Sequence, residues 1–546
     1  SLIRGFDSLH PLHTSQGRTQ RPFVIRGARV RYAAIAGRVR LTLLLIPAML
    51  AGLQGCASLP EPVPHEPSQA LRQPQATSLG RWAAQAAPNP QYSGVRLLVA
   101  GDEALGALMA LADRAERTLD LQYYLVHNDA AARTVLRRVH AAAQRGVRIR
   151  FLIDDLNTAE KEASLLCLTD HPNIEVRLYN PFPSGRFSTA TRVLASLTDL
   201  RRINHRMHNK MFVADNAMAV TGGRNLGDAY FLNSPSTNFV DLDVLVAGPS
   251  VQELSASFDG FWNSALAYPM HRLVGGAPDC AGAVAASDGE GRDIDTAPRM
   301  DAGVVHGLLG GRLRLQWVPA TVIADKPSKI ASEGNPDRSE TIEDDILALL
   351  RTAQREVLIV SPYFVPGRRG VDLARELRER GVRMRVLTNS LAATDAPVVH
   401  IGYARYRSDL LGLGVELYEL RPRLSTPRSR VGSFGSSSAS LHAKALVIDR
   451  RTVLVGSMNM DPRSARLNSE IGLVMRSPVL AGELATLFDE VIQRSAYRVE
   501  RLADGTLHWV SSDPAVPSVT GTEPEAGAGR QLLLMLLGPF APEEML

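Results

Sequence analysis

A five-residue pattern, H-x-K-x4-D-x6-G-x-x-N, occurs twice in this chain of 546 residues, with identical internal spacing. At roughly one in twenty for each fixed position, one chance copy in a chain this long has odds of about one in several thousand. The repetition therefore predicts two homologous halves, each built around one copy. The copies are His208, Lys210, Asp215, Gly222 and Asn225, and His442, Lys444, Asp449, Gly456 and Asn459.

The two halves also share an order of predicted elements. Each begins with a helix, at 104–116 and 342–354, followed by an apolar strand. A second helix, at 130–144 and 371–379, ends at an Arg-Gly-Val turn where glycine suits the position after the helix. Alternating strands and helices predict an α/β fold in which helices flank a β-sheet in each half. Two homologous halves in one chain also indicate a pseudo-two-fold interface.

Composition divides the rest of the chain into segments. Proline, glutamine, alanine and serine are common before the first half, and glycine, alanine, aspartate and proline between the halves. Such compositions are typical of linkers. The predicted segments are a signal segment at 1–56, a flexible linker at 57–93, a first domain at 94–275, an inter-domain linker at 276–340, and a second domain with an apolar C-terminal tail at 341–546.

Residues 1–56 have the pattern of a bacterial lipoprotein signal. Five arginines between Arg26 and Arg40 precede an apolar run at 41–53, which is too short for a confident membrane span. The sequence Leu-Gln-Gly-Cys follows, so Cys56 is the expected lipidation site. An uncleaved membrane anchor is the alternative. Both place the folded body in the cell envelope, facing the periplasm or the exterior, and leave open which membrane holds it.

The charge balance argues against nucleic acid as a partner. The chain carries a net charge of +5, but residues 1–55 hold eight arginines, no lysine and one acid. The remainder therefore carries a net charge of −2. Nucleic-acid-binding proteins usually show a basic footprint, which this body lacks.

Each motif combines groups that suit phosphate chemistry. In H-x-K the two side chains are two residues apart, which on a strand places them on one face. The aspartate falls at a hairpin turn, where we expect it to bond backbone amides as structural support. The glycines are expected to let a ligand approach the backbone. The asparagines offer amide donors.

Two histidines can catalyse displacement at a phosphodiester. A neutral imidazole attacks phosphorus and forms a phosphohistidine, while an imidazolium protonates the leaving alkoxide and later deprotonates the acceptor. One motif from each half supplies the pair. No carboxylate cluster is evident, so we predict neither metal nor cofactor, with the lysines and asparagines as fixed donors. Cys167 and Cys280 lack zinc-site spacing, and we interpret both as ordinary small residues.

Each catalytic histidine needs a partner that fixes its tautomer. Glu470 lies on a predicted strand after the second motif, and Asp241 is its counterpart in the first half. Both precede a proline by eight residues. Asp243 lies on the same strand face as Asp241 and is the rival candidate. We favour Asp241.

These residues resemble the phospholipase D superfamily with two H-K-D motifs, and most of all bacterial cardiolipin synthases of the C type. The likeness extends from about residue 94 to the C-terminus. Further marks of that group are Arg206–Lys210, Thr221–Asn225, Asp241–Val244, Ser361–Pro366 and His400–Arg407.

The resemblance implies two phospholipase-D-type domains related by a pseudo-two-fold, with one active site at their interface. It also implies transfer of a phosphatidyl group to the headgroup hydroxyl of phosphatidylglycerol, with His208 as nucleophile and His442 as acid and base. Phosphatidylethanolamine is a further candidate substrate, and a membrane surface is the expected partner.

Three alternatives stay open from the sequence. The same site is able to hydrolyse phospholipids to phosphatidic acid, in the manner of a phospholipase D. A phosphodiesterase or nuclease is less favoured by the charge of the body, and a non-catalytic lipid-binding lipoprotein by the two intact motifs. The sequence leaves undecided the acceptor, the oligomeric state and whether Cys167 and Cys280 pair.

Overall fold

The chain divides into two compact units, residues 1–57 and 58–546, and the second contains all the described strands and helices. The predicted signal segment with Cys56 lies outside the described residues. The computed structural model describes residues 59, 67–158, 162–183, 191–192, 199–274, 307–308, 310, 312–332, 341–424, 428–429, 432–433 and 437–537.

Nine strands of the described first half and its connector form one mixed sheet. Their order across the sheet is β10-β4-β3-β2-β6-β7-β9-β1-β11, with β4, β3 and β2 parallel and the other pairs antiparallel. The strands are Ser93–Leu98 (β1), Thr118–Tyr123 (β2), Arg148–Asp154 (β3), Ile174–Tyr179 (β4), Arg206–Met207 (β5, outside this sheet), Met211–Ala214 (β6), Met218–Gly222 (β7), Thr237–Val240 (β8, outside this sheet), Asp243–Ala247 (β9), Ala267–Pro269 (β10) and Gln316–Val318 (β11).

Ten strands form the second sheet, in the order β12-β22-β20-β19-β13-β14-β15-β23-β24-β25 among the described residues. Its central strands repeat the order and directions of the first sheet, which confirms the two homologous halves. The strands are Ala320–Ala324 (β12), Glu356–Val360 (β13), Arg383–Asn389 (β14), Glu416–Leu420 (β15), Arg428–Ser429 (β16), Gly432–Ser433 (β17), Ser438–Leu441 (β18), Ala445–Ile448 (β19), Thr452–Gly456 (β20), Asn468–Ser469 (β21), Ile471–Arg476 (β22), Ala496–Arg501 (β23), Leu507–Ser511 (β24) and Val519–Thr520 (β25).

Helices cover both faces of each sheet. Helices 101–114 and 130–144 bury apolar faces on the first sheet, and helices 343–351 and 367–379 on the second. One further hydrophobic cluster contains side chains from both sheets, so the halves share a core. The helices are Ser78–Ala86, Gly101–Arg114, Ala130–Gln144, Glu162–Leu168, Leu200–Asn204, Pro249–Trp262, Met270–Leu273, Pro327–Ala331, Glu343–Arg351, Gly367–Glu379, Pro397–Ala404, Arg407–Gly412, Pro462–Arg466, Pro478–Ser495 and Ala528–Leu537.

Local sequence explains why the helix at 130–144 has the predicted bounds. The Asp129 side chain accepts a hydrogen bond from the Ala132 amide and so caps its first turn. Gly146 adopts φ +94° just beyond its end, a conformation that favours glycine. The other three predicted helices are shifted by a few residues at one or both ends.

Both predicted linkers are partly folded. The Ser68 amide donates to Asn263 Oδ1 at 3.0 Å, and the helix at 78–86 buries Leu79 and Ala83 against the first half. The segment predicted as the inter-domain linker supplies β11 to the first sheet and β12 to the second. These strands pair backbone groups of β1 and β22 that would otherwise form open edges. The connector therefore joins the two sheets.

Cys167 is disulfide-bonded, so interpreting it as an ordinary small residue was wrong. Cys56 and Cys280 both lie outside the described residues. In the apolar tail, the Arg530 guanidinium at the start of the C-terminal helix donates to the carbonyls of Leu391 and Ala392, each at 2.8 Å. None of the described helices has the length and apolar character needed to cross a membrane.

Candidate active site

Each motif lies where the chain crosses from one half to the other. β5 pairs in parallel with β21 of the second half, and the chain then enters its own sheet as β6. In the same way, β18 pairs in parallel with β8 of the first half before the chain continues as β19. The H-x-K residues form the short link between these strands. Our prediction that they lie on a strand was wrong, because the backbone changes its pairing partner at this point.

The first-half histidine is held by the second half. The backbone N–H of His208 donates to the Ser469 carbonyl at 3.0 Å. Its Nδ1 lies 2.9 Å from an oxygen of Glu470, the next residue along. The Glu470 carboxylate also accepts a 2.5 Å hydrogen bond from the Ser457 hydroxyl and is fully buried. With Nδ1 bonded to a carboxylate, Nε2 carries the lone pair and is the nitrogen left for chemistry.

The second-half histidine is held in the same way by residues of the first half. The backbone N–H of His442 donates to the Val240 carbonyl at 2.8 Å, and its Nδ1 lies 2.6 Å from Asp241 Oδ2. Asp243 instead forms an ion pair with Arg224 at 3.2 Å. The structure thus brings Asp241, not its rival, to a motif histidine. Since each histidine takes both bonds from the opposite half, neither half alone completes the site.

Burial and like charge keep the first histidine neutral. Burial, followed by the positive charges of Lys210 and Lys444, lowers the pKa of His208 well below its ordinary value. Burial also lowers the pKa of the Lys210 ammonium to about 7 and that of Lys444 to about 8. The pKa of Glu470 is raised to about 7, again through burial. A neutral imidazole surrounded by cationic donors suits attack on an anionic phosphorus centre.

The second histidine lies in a different electrostatic environment. Burial and the Lys444 charge lower the pKa of His442, but the Asp241 carboxylate opposes that shift. For Asp241, burial favours the neutral acid, yet His442 and Lys444 outweigh it and hold its pKa at about 2. A permanently ionised Asp241 stabilises an imidazolium. His442 is therefore the better placed of the two to carry a proton.

The lysines turn back toward their own motifs. Lys210 Nζ donates to the His208 carbonyl at 2.7 Å. Lys444 Nζ donates to the His442 carbonyl and lies 3.0 Å from the Nδ1 of that ring. Both lysines are about 1% exposed, so their charges are poorly screened by solvent. The negative charge of an incoming phosphate therefore offsets the positive charges of these two buried ammonium groups.

Aromatic rings orient the imidazoles. Tyr124 packs edge-on against His208, with ring centroids 5.0 Å apart. Tyr230 and Phe239 pack against His442 at 5.2 and 5.0 Å. The sequence analysis did not identify these three rings as part of the site. Their only sequence signal is proximity to a motif, which is weak.

The two motif asparagines differ. Asn225 Oδ1 accepts from the Leu125 amide at 3.2 Å, and its Nδ2 donates to the Tyr230 hydroxyl at 3.0 Å. Asn459 is 4% exposed, and its Oδ1 has no partner among the described residues. A buried amide oxygen without a partner is costly unless something else satisfies it. The Oδ1 of Asn459 accepts hydrogen bonds, so it remains available to a donor group of a ligand, such as a hydroxyl, and not to an anionic phosphoryl oxygen.

Asp215 and Asp449 lie at the far ends of the motif hairpins. With its successor, each adopts left-handed φ values, 54° and 49° in the first half and 52° and 51° in the second. Such values are those of a two-residue type I′ turn. Each carboxylate accepts bonds from three consecutive backbone amides, as structural support requires. The donors are Glu116, Arg117 and Thr118, and Gln354, Arg355 and Glu356.

The motif glycines serve packing between strands. A Cβ on Gly222 would lie 2.6 Å from the Leu242 carbonyl. One on its neighbour Gly223 would lie 2.1 Å from Asp241 Oδ1, the carboxylate that pairs with His442. A Cβ on Gly456 would lie 2.2 Å from the Ile471 carbonyl, next to Glu470. We had expected these glycines to admit a ligand. Instead they admit the strands that carry the two carboxylates.

A buried ion pair from the connector braces Glu470. Asp325 Oδ2 accepts from the Glu470 backbone amide at 2.8 Å and from Lys329 Nζ at 2.7 Å. Lys329 Nζ also donates to the Ser464 carbonyl at 3.0 Å, and both charged side chains are buried. Sequence reasoning missed this pair because the segment was predicted to be a linker. Its only signal is an Asp–Lys spacing of four residues.

Within the described ranges, no group of three or more histidine, cysteine, aspartate or glutamate side chains is arranged to hold a metal ion. The donors around the two histidines are the ammonium and amide groups already described.

The comparisons with known proteins agree with this architecture. The family model described as "Cardiolipin synthase, PLD-like domain" matches residues 108–262 and 346–492, one match in each half. Cardiolipin synthase C of Escherichia coli is 36% identical over 466 residues, which cover 84% of this chain and 97% of that protein. An uncharacterized protein of Helicobacter pylori is 31% identical over 452 residues, covering 82% and 88% respectively.

A solved structure shares the fold. Phosphatidylserine synthase of Haemophilus influenzae aligns with a TM-score of 0.55 at 15% identity, over 86% of this chain and all of that one. Fold and site together define a two-domain protein of the phospholipase D type. The chain belongs to the cardiolipin synthase family of phospholipase-D-like proteins.

Proposed function

We propose that the protein is a phosphatidyltransferase that forms cardiolipin from membrane phospholipids through a phosphohistidine. The crossed pairing of His208 with Glu470 and of His442 with Asp241 is the observation that carries this proposal. It provides a buried nucleophile and a buried acid with separate supporting carboxylates. Family membership, with relatives named as cardiolipin synthases, supports the choice of lipid substrate.

In the first half-reaction, the Nε2 lone pair of His208 attacks the donor phosphorus. The bond from phosphorus to the headgroup oxygen breaks, and the imidazolium of His442 protonates the departing alkoxide. The phosphatidyl group is then bound to His208. When phosphatidylglycerol is the donor, glycerol is released. The ammonium groups of Lys210 and Lys444 and the Nδ2 hydrogens of Asn459 stabilise the negative charge on the phosphoryl oxygens.

In the second half-reaction, the hydroxyl of the acceptor lipid gives its proton to His442 and attacks phosphorus. The phosphorus–nitrogen bond breaks, and neutral His208 is regenerated. A bound phosphate offsets the two lysine charges, which raises the pKa of His442 and favours its acidic form. Phosphatidylglycerol is the proposed acceptor, because its headgroup ends in a hydroxyl. Phosphatidylethanolamine is proposed as an alternative donor.

We also propose that the chain is lipid-anchored through Cys56 to a membrane of the bacterial envelope. Support comes from the arginine-rich segment, the apolar run at 41–53 and the Leu-Gln-Gly-Cys sequence. Metabolic labelling with a fatty acid tests the anchor. We expect label on the wild-type protein and none on a Cys56→Ser variant. Label that persists in the variant contradicts the assignment.

Product analysis tests the reaction. Purified protein is given phosphatidylglycerol, alone or with phosphatidylethanolamine, with and without a chelator, and the lipid products are identified by mass. Cardiolipin formed in the presence of chelator supports transfer. Phosphatidic acid as the sole product would replace transfer by hydrolysis, and loss of activity with chelator would overturn the metal-free mechanism.

A further inference from the structure

An apolar cavity lies behind the second motif. It has a volume of 330 Å³ and is bounded by the helices at 343–351 and 367–379. Buried apolar side chains line it, including Leu350, Phe364 and Leu373. Protein cores rarely contain voids of this size, whereas ligand pockets span about 300–1,000 Å³. Its size and apolar lining are those of a ligand pocket.

One stretch of backbone separates this cavity from the reaction site. Met458 and Met460 line the cavity, and Asn459 between them belongs to the catalytic set. The Val365 amide donates to the Met460 carbonyl at 2.8 Å, which fixes the stretch against the loop after β13. A molecule in the cavity therefore contacts the two residues that flank Asn459.

Three arginines and two acidic residues, Glu343 and Asp461, line the cavity, and two of the arginines form no ion pair with a described residue. Arg368 and Arg466 line it, are exposed, and form no ion pair with any described residue. The neighbouring Arg369 is already neutralised, since it pairs with Glu343 at 2.6 Å and with Asp344. Apolar walls next to two free guanidinium groups match a molecule with a hydrocarbon chain and a phosphate.

We propose that this cavity binds the acceptor lipid. One acyl chain occupies the cavity, and the phosphate of the acceptor pairs with Arg368 and Arg466. The inference rests on the proposed function. In lipid-to-lipid transfer the acceptor brings a second phosphodiester that does not react. This second phosphate lies only one headgroup away from the reacting phosphate. Because the two motif lysines already neutralise the reacting phosphate, the second phosphate needs cations of its own.

The phosphohistidine intermediate passes its phosphatidyl group either to an acceptor lipid or to water, and the ratio of these two outcomes tests the assignment. Transfer product and phosphatidic acid both arise from the same intermediate, so their ratio is independent of donor binding. Phosphatidylglycerol in detergent micelles is given to wild type, to the double variant Arg368→Gln/Arg466→Gln and to Arg451→Gln. Arg451 is an exposed arginine at the far turn of the same motif and serves as the matched control.

We expect the double variant to lower the ratio of transfer to hydrolysis by at least about tenfold, the effect of losing a charge-assisted hydrogen bond. The control keeps the wild-type ratio. An unchanged ratio in the double variant overturns the acceptor site. Wild type that forms only phosphatidic acid overturns the proposed function itself, and the acceptor site with it.

A cross-linking measurement shows where the acyl chain binds, independently of the charges of the two arginines. Phosphatidylglycerol with a photoreactive acyl chain is cross-linked to the protein, and labelled peptides are identified by mass. We expect label on helices 343–351 and 367–379, reduced in Ala465→Phe, which fills the cavity. A thermal melt establishes that the variant is folded. Label confined to other parts of the chain, with these helices unlabelled, contradicts the proposal.

Discussion

Replacement of Glu470 by glutamine is the sharpest single perturbation of the site. The variant keeps the volume of the side chain and an oxygen able to accept from His208 Nδ1 and from the Ser457 hydroxyl. It removes the negative charge that faces the imidazole at 2.9 Å. The nucleophile then loses its fixed counter-charge, while packing is retained.

The size of the effect follows from that contact. A hydrogen bond to a charged group contributes about 1.5–3 kcal/mol, and each 1.4 kcal/mol is a factor of ten in rate. We therefore expect kcat to fall about 10- to 150-fold. If the amide turns its NH2 toward Nδ1, the proton moves to Nε2, and the loss approaches about 10⁴-fold, as with a misassigned tautomer in a catalytic triad. Stability should change little, because burial already raises the pKa of Glu470 to about 7.

Glu419→Gln is the matched control. Glu419 is equally buried in the same half, but it pairs with Arg407 at 2.9 Å, away from the motifs. Removing its charge leaves Glu523, at 2.5 Å, as the remaining counter-ion of the buried Arg407 guanidinium, so we expect a loss of about 1.5–3 kcal/mol of stability, the contribution of a hydrogen bond to a charged group. We expect this variant to melt earlier and keep its kcat, while Glu470→Gln shows the reverse. Near-wild-type kcat in Glu470→Gln would refute the role assigned to the crossed carboxylate.

Further predictions concern stability and pH. Asp215→Ala leaves three amides unpaired at a buried turn and should lower the free energy of unfolding in urea by about 3 kcal/mol, more than Asp449→Ala, whose side chain is only partly buried. Equal costs would count against the burial argument. Asp325→Asn leaves the buried Lys329 ammonium without its counter-ion and should lower the free energy of unfolding by about 3–5 kcal/mol. An unchanged melting temperature would show that this ion pair of the connector does not stabilise the fold. Because folding lowers the pKa of Lys210 to about 7, its charge is lost as pH rises through that value. We expect kcat/KM to decline above pH 7 and Lys210→Arg to move the decline to higher pH, and a profile flat to pH 9 in wild type would contradict this.

Local patterns predicted what local forces determine. The helix at 130–144 has the predicted bounds, because a capping residue at its start and a glycine turn at its end define them. The structure places Asp241, and not Asp243, against His442, and this agrees with the expectation that equivalent positions on homologous strands share an environment. The repeat itself was sufficient to predict two halves with one site.

Strand pairing between distant parts of the chain could not be predicted from such local patterns. The crossing strands are only two to four residues long, too short for periodicity to reveal, and they pair with the opposite half. Sequence separation therefore hid which carboxylate serves which histidine. The connector looked like a linker because its composition is polar and small, yet it supplies an edge strand to each sheet. Its Asp325–Lys329 pair acts only through tertiary contacts.

The central claim is that both halves form one site, in which His208 is the nucleophile. The most direct test is to incubate the protein with phospholipid labelled in the phosphate, quench in alkali, where phosphohistidine survives, and locate the label by peptide mapping. The account predicts label on the peptide containing His208, none in His208→Ala, and accumulation in His442→Ala when the donor has a good leaving group. Label on His442, or labelling of both histidines alike, would contradict it.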